Sequence, residues 1–222
     1  MIKYNTKENQ SQVETLQDKS ASGRIRPWAI YKIANTYLSM AYETVNERRS
    51  ERMRNCASEL HYHREGGKMR LVHADFCRVR LCPICQWRRS LKNFGHMNKI
   101  VSAIGDKCRY ILLTLTIKSC KGAELSDEMT HIIKAFKAFI EYKACEQAFK
   151  GWYRGLEVTH NVDTDEYHPH LHVLLAVNPS YFHSKHYLSQ KQITEMWQRA
   201  LKVHYTPIVD IRKCYGHDVK SI

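Results

Sequence analysis

The stretch 168–177 carries two patterns at once, and it limits the folds open to this chain more than any other segment. Three histidines occupy alternate positions, at residues 168, 170 and 172, and apolar residues fill the positions between and after them. Successive side chains of a β-strand point to opposite faces, so a strand here has a histidine face and an apolar face. The apolar face must be buried, and it consists of Leu171, Val173, Leu175 and Val177.

A second alternating segment precedes the histidines and predicts a β-hairpin. Residues 152–160 and 168–178 flank the polar loop 161–167. A turn centred between Asp163 and Thr164 places Glu157 directly opposite His170, and opposed side chains on one face are neighbours. Two imidazoles and one carboxylate bind a divalent metal and leave coordination positions free for a substrate. We therefore predict a metal site at Glu157, His170 and His172, with His160 and His168 as weaker alternates. The competing interpretation is a set of solvent-exposed strand residues.

The net charge points to a polyanionic partner. The chain has 35 Lys+Arg against 22 Asp+Glu, a formal net charge of +13. Nucleic acid is the first candidate for such a partner, although a merely basic protein has the same composition. No apolar run reaches membrane-spanning length, and the polar N-terminus lacks the apolar core of a signal peptide. We expect a cytoplasmic protein with no membrane partner.

Four of the eight cysteines have the spacing of a metal site. Cys82 and Cys85 form a CxxC knuckle, Cys77 lies five residues before Cys82, and Cys56 lies upstream of a predicted hairpin that turns at Gly66-Gly67. A knuckle of this kind places two thiolates on one tetrahedral ion, so we predict a structural zinc site. His73 is a competing fourth ligand, and four unrelated thiols are the alternative to a metal site.

The remaining segments predict an α+β fold of three parts. Residues 1–23 are polar and aperiodic and predict a disordered tail. Residues 24–104 predict a helical, zinc-binding subdomain with an amphipathic helix over 28–47, and residues 105–222 predict a domain with a central antiparallel sheet. We expect the histidines on one open face of that sheet and helices on the other, with a buried helical stripe that runs from Ile132 to Phe149. A basic edge beside an aromatic residue suits contact with DNA, and it consists of Trp87, Arg88, Arg89 and Lys92.

These motifs, in this order, resemble those of rolling-circle replication initiators, the Rep_1 family of HUH endonucleases from small bacterial plasmids. The string Glu157-Val158-Thr159 followed by residues 168–174 resembles the family's HUH motif. Residues 113–116 resemble its first motif, and residues 76–92, with Cys56 upstream, resemble its cysteine-containing signature. The likeness extends from about residue 26 to residue 213.

The resemblance implies a bacterial, metal-dependent nickase that opens the plasmid's double-strand origin. In the family, a tyrosine hydroxyl attacks a DNA phosphodiester, forms a 5′-phosphotyrosyl bond and frees a 3′-OH that primes the host polymerase; a host helicase is also implied. His170, His172 and Glu157 carry over as ligands of Mg²⁺ or Mn²⁺, and the cysteines as ligands of Zn²⁺.

The family's nucleophile has no clear counterpart. It lies on a helix after the last predicted strand, and Tyr215, a weak candidate, does not match its setting. We therefore expect a chain that binds metal and origin DNA but nicks poorly. The alternatives are a non-catalytic zinc-containing DNA-binding protein or replication regulator, and a transposase or relaxase that uses HUH chemistry.

Overall fold

The computed structural model describes residues 23–66 and 68–214. The predicted disordered tail, apart from Gly23, and Tyr215 lie outside these residues. The described residues form two compact units that divide between Gly95 and His96, inside one long helix. Our sequence-based boundary between residues 104 and 105 stays a prediction.

The first unit contains helices and one β-hairpin. Its elements are α1 (Trp28–Glu43), α2 (Glu47–Arg54), β1 (Leu60–Glu65), β2 (Lys68–Ala74) and the first part of α3 (Pro83–Ile104). The strands pair antiparallel, which confirms the predicted hairpin. A small core brings together Met53, Cys56, Cys77, Val79, Cys82 and Ile84.

The predicted single helix over 28–47 is wrong, because the chain breaks it after Glu43. Asn46 has an extended backbone, and its side chain accepts a hydrogen bond of 2.9 Å from the backbone N–H of Arg49. An asparagine in this position caps a helix that starts after it, so a new helix begins at Glu47. Apolar periodicity continued through the break and concealed this competing cap.

The second unit is built on a four-stranded antiparallel sheet in the order β4-β5-β3-β6. Its strands are β3 (Arg109–Thr116), β4 (Phe149–Asn161), β5 (Glu166–Val177) and β6 (Val209–Cys214), and its helices are α4 (Leu125–Ile140), α5 (Lys143–Ala148) and α6 (Gln190–Leu201). The α+β prediction is confirmed. Ser189 and Gln192 form a capping box at the start of α6.

Helices α4 and α6 pack on one face of this sheet. The alternate apolar residues of β5 are buried there, as predicted, together with Phe136, Phe139 and Trp197. The indole of Trp197 donates a hydrogen bond of 2.8 Å to the carbonyl of Thr116, which ties α6 to the end of β3. Phe149 is also buried, but it starts β4 and does not extend the α4 stripe as predicted, because α4 ends at Ile140 and α5 intervenes.

The histidine face is open along only part of its length. At one end, Met97 and Val101 of α3 pack against Tyr110, Leu174 and Cys214. The histidines lie toward the opposite end, where the sheet is accessible. Among the described residues, no helix is long and apolar enough to cross a membrane.

Candidate metal centres

Glu157, His170 and His172 meet on the accessible part of the sheet. Glu157 of β4 is paired directly with His170 of β5, in the register predicted from the turn. One carboxylate oxygen of Glu157 lies 3.8 Å from Nε2 of His170 and 3.4 Å from Nε2 of His172. Both imidazoles therefore direct the same ring nitrogen toward one carboxylate.

The other ring nitrogen of each histidine is held by β3 or β5. Nδ1 of His170 lies 3.1 Å from the backbone carbonyl of His168. Nδ1 of His172 lies 3.2 Å from the hydroxyl of Thr114. Partners of this kind fix the orientation of each ring, so the Nε2 atoms of both histidines point toward Glu157.

The donor set fits a divalent cation with open coordination positions. Bonds of about 2.1 Å at right angles place neighbouring donors about 3.0 Å apart, so a small inward movement of the side chains accommodates an ion. His170 is 9% exposed, whereas the side chains of His172 and Glu157 are 43% and 56% exposed. The site thus has a buried inner side at His170 and an accessible outer side at His172 and Glu157, which suits a bound phosphate.

The two histidines that we gave as weaker alternate ligands, His160 and His168, contact other residues. Nε2 of His160 lies 2.9 Å from the carboxylate of Asp165, and Nδ1 of His168 lies 3.4 Å from the hydroxyl of Ser119. Burial, and then the neighbouring His170, lower the pKa of His168. Neither residue belongs to the group of converging donors.

The four predicted cysteines form the second group of converging donors among the described residues. The Sγ atoms of Cys56 and Cys85 are 3.7 Å apart, and the Cys77–Cys85 and Cys82–Cys56 pairs are each 3.6 Å apart. Four sulfurs bound tetrahedrally at about 2.3 Å are about 3.8 Å from one another, so the cluster matches a structural zinc site. His73 lies beside Asp75 instead, at 3.3 Å.

Backbone amides support negative charge at the cysteine sulfurs, and two basic side chains bond to cysteine carbonyls. The N–H groups of Cys77, Arg78 and Val79 donate to the sulfurs of Cys56, Cys85 and Cys77 at 3.3–3.4 Å. The amine of Lys32 donates to the carbonyl of Cys56, and the guanidinium of Arg52 donates to that of Cys77. The basic groups hold the two loop segments that carry these ligands.

Contacts among the thiols also give them different pKa values. The side chain of Cys56, and then that of Cys82, lower the pKa of Cys77 to about 7. Contact with Cys77 raises the pKa of Cys56, because a thiolate beside another thiolate is disfavoured. A cation bound between the four sulfurs would offset this repulsion. Outside the cluster, burial raises the pKa of Cys145 to about 12, which suits an inert core thiol.

The predicted DNA-contacting residues lie at the start of α3, in the first unit. Arg89 and Lys92 are exposed, and the guanidinium of Arg88 lies over the ring of Phe76 at 5.1 Å. Trp87 packs edge-on against Trp28 and stacks with Tyr31, so its ring contributes to the fold of this unit. The role of these four residues in DNA contact stays a prediction.

Sequence reasoning missed three supporting residues. The contact of Thr114 with His172 depends on β3 lying beside β5 in the sheet, a strand order that we did not predict. Lys32 and Arg52 bond to cysteine carbonyls 24 and 25 residues away, and no local pattern encodes those contacts.

Comparison with known proteins assigns the chain to a family. The Rep_1 family profile, described as "Replication protein", matches residues 68–221, and the chain belongs to this family. A "Protein rep" from Bacillus amyloliquefaciens is 39% identical over 213 residues, which cover 90% of this chain and 62% of the relative. A "Protein rep" from Bacillus sp is 42% identical over 76% of this chain and 56% of its own length.

A third relative, a "Protein rep" from Streptococcus pneumoniae, is 38% identical over 92% of this chain and 66% of its own length. This chain thus spans roughly three fifths of the length of the curated relatives that it matches. No solved structure matches significantly.

The sulfur geometry makes a direct prediction about metal content. The purified chain should contain one tightly held metal ion that resists mild EDTA, and Cys82→Ser should lose it because three thiolates and a hydroxyl bind more weakly. Cys108→Ser, which changes a cysteine outside the cluster, is the control. Elemental analysis per mole of protein gives the readout, and equal metal content in Cys82→Ser and the parent chain would contradict the assignment.

Proposed function

We propose that this chain initiates rolling-circle plasmid replication by binding the double-strand origin and acting on one DNA strand at the Glu157, His170 and His172 site. The observation that carries the proposal is the convergence of one carboxylate oxygen and two Nε2 atoms on an accessible sheet face. Membership of a family of replication proteins supports DNA as the substrate. The excess of basic residues supports it independently.

The ligand set suits phosphoryl transfer. A bound Mg²⁺ or Mn²⁺ would polarise the scissile phosphate and stabilise the charge that develops on it. Glu157, His170 and His172 hold that position, and the accessible outer side admits a phosphodiester. In tyrosine transesterification, the phenol loses its proton and its oxygen forms a bond to phosphorus as the bond to the 3′-oxygen breaks, and the leaving 3′-oxygen takes up a proton.

Two described tyrosines of the second unit, Tyr181 and Tyr205, use their hydroxyls in structural contacts. The hydroxyl of Tyr181 is buried and exchanges hydrogen bonds with the backbone of Leu188. The hydroxyl of Tyr205 accepts a bond of 3.1 Å from the backbone N–H of Lys118. Tyr215 remains the candidate nucleophile to test, and weak nicking remains our expectation for this chain.

The first unit supplies a zinc-stabilised surface for DNA in this proposal. Zn²⁺ at Cys56, Cys77, Cys82 and Cys85 would fix the start of α3, which carries Arg88, Arg89 and Lys92. Phosphate contacts of this kind position a protein on DNA and do not read its sequence. Plasmid replication also implies a bacterial cytoplasmic location and contact with host helicase and polymerase.

The proposal predicts one exchangeable Mn²⁺ in addition to the ion at the cysteines. The double variant His170→Ala/His172→Ala should lose the exchangeable ion because it removes two of three ligands. His160→Ala/His183→Ala removes two other histidines and should keep it. Electron paramagnetic resonance titration with Mn²⁺ measures the stoichiometry, and supercoiled origin DNA incubated with the same proteins measures nicking and covalent attachment.

The possible outcomes separate the candidate functions. Origin binding with Mn²⁺-dependent, weak relaxation that the His170/His172 variant abolishes supports the nickase. Efficient relaxation with covalently attached protein would refute the weak-nicking expectation, and Tyr215→Phe would then test the nucleophile. Zinc alone, with DNA binding unchanged in the histidine variant and no nicking, would replace the proposal with a non-catalytic DNA-binding regulator.

The basic start of α3 gives a separate prediction about affinity. Arg89→Ala/Lys92→Ala should weaken DNA binding. The negative slope of log affinity against log salt should become less steep by about 2, because two phosphate contacts and their counterions are lost. Lys134→Ala/Lys137→Ala removes the same charge from exposed positions on α4, which packs on the sheet face opposite the histidines. An equal change in slope for both double variants would show that only net charge matters.

A further inference from the structure

The two histidines of the metal centre differ in the chemistry of the group that holds Nδ1. The partner of His170 is the backbone carbonyl of His168, which can only accept a hydrogen bond. His170 must therefore carry its proton on Nδ1, and its Nε2 lone pair is free. The partner of His172 is the hydroxyl of Thr114, which can either donate or accept.

The order of the strands in the sheet brings the Thr114 hydroxyl next to His172. Strand β3 lies between β5 and β6, and Thr114 is paired directly with His172 on one side. Opposed residues of an antiparallel pair have side chains on the same face at close range, so the contact of 3.2 Å follows from the register. The next threonine on that face, Thr116, instead donates to the carbonyl of Ile208 at 2.9 Å.

We propose that Thr114 is a positioning residue whose hydroxyl directs Nε2 of His172 toward the metal position and accommodates both tautomers of its ring. This inference rests on the proposed function of the site. Without an ion, Nε2–H of His172 faces the carboxylate of Glu157 at 3.4 Å, and the Thr114 hydroxyl donates to Nδ1. When Nε2 coordinates, it gives its proton to water while Nδ1 takes one from water, and the hydroxyl rotates to accept from Nδ1–H.

The two histidines therefore have different roles in binding an ion. His170 is buried and has a fixed tautomer, so it is ready to coordinate before an ion arrives. His172 is more exposed and has an adjustable partner, so it completes the site. Removal of such a partner of a metal-binding histidine generally lowers metal affinity about 10- to 100-fold.

Thr114→Val and Thr114→Ser separate the hydroxyl from the shape of the side chain. Valine keeps the branched shape and removes the hydrogen bond, so Thr114→Val should bind Mn²⁺ at least about tenfold more weakly than the parent chain. Serine keeps the hydroxyl and should stay within about threefold of the parent. Thr159→Val, on the same sheet face at an exposed position of β4, is the control and should match the parent.

Mn²⁺ affinity of the full chain is one readout, and the tautomer of His172 is the second. Long-range ¹H–¹⁵N spectra of the imidazoles, with His172 assigned from His172→Ala, should show a changed tautomer population in Thr114→Val and not in Thr159→Val. The diamagnetic Mg²⁺ form of the parent should show the Nδ1–H tautomer of His172.

Three results would overturn parts of this account in distinguishable ways. If Thr114→Val binds Mn²⁺ like the parent with unchanged His172 signals, the hydroxyl has no positioning role. Equal weakening in Thr114→Ser and Thr114→Val would show that the methyl group and packing matter instead. If the parent chain binds no Mn²⁺ at this site, the proposed function fails, and this inference fails with it.

Discussion

The pairing register between β4 and β5 is the constraint on which the rest of this structure depends. In that register Glu157 faces His170, and Leu156 faces Leu171 on the opposite side of the sheet. Side chains alternate with a period of two, so a slip of one residue would turn Glu157 into the core and bring Leu156 to the surface. The cost of burying a carboxylate and exposing apolar residues therefore keeps Glu157 on the same face as His170 and His172.

The core and the site are two faces of the same strand. Packing of β5 against α4 and α6 buries Leu171, Val173 and Leu175, and this packing fixes the direction in which His170 and His172 project. Strand β3 then completes both faces: Leu113 and Leu115 extend the core, and Thr114 reaches His172. A site assembled on neighbouring strands is held more rigidly than one assembled on loops, which suits binding of an ion by only three side chains.

The sequence predicted that Glu157, His170 and His172 converge, but not which residues hold their side chains in place. The Glu157–His170 pairing was predictable because the polar loop is short and both flanking segments alternate. The contact from Thr114 was not, because it requires the spatial order of β5 and β3, which are separated by α4, α5 and β4. The break after Glu43 was missed because we gave more weight to apolar periodicity than to the helix cap at Asn46. The packing of α3 on part of the histidine face was missed because the periodicity of a helix does not identify the surface that the helix covers.

The central claim is that Glu157, His170 and His172 hold one divalent ion, and diffraction from crystals soaked in Mn²⁺ tests it most directly. Anomalous difference maps at the manganese absorption edge should show a peak within about 2.3 Å of both Nε2 atoms and of a Glu157 oxygen, with the remaining positions open to water or phosphate. A fully soaked crystal with no peak there, or with a peak bound only by His160 and Asp165, would contradict the account.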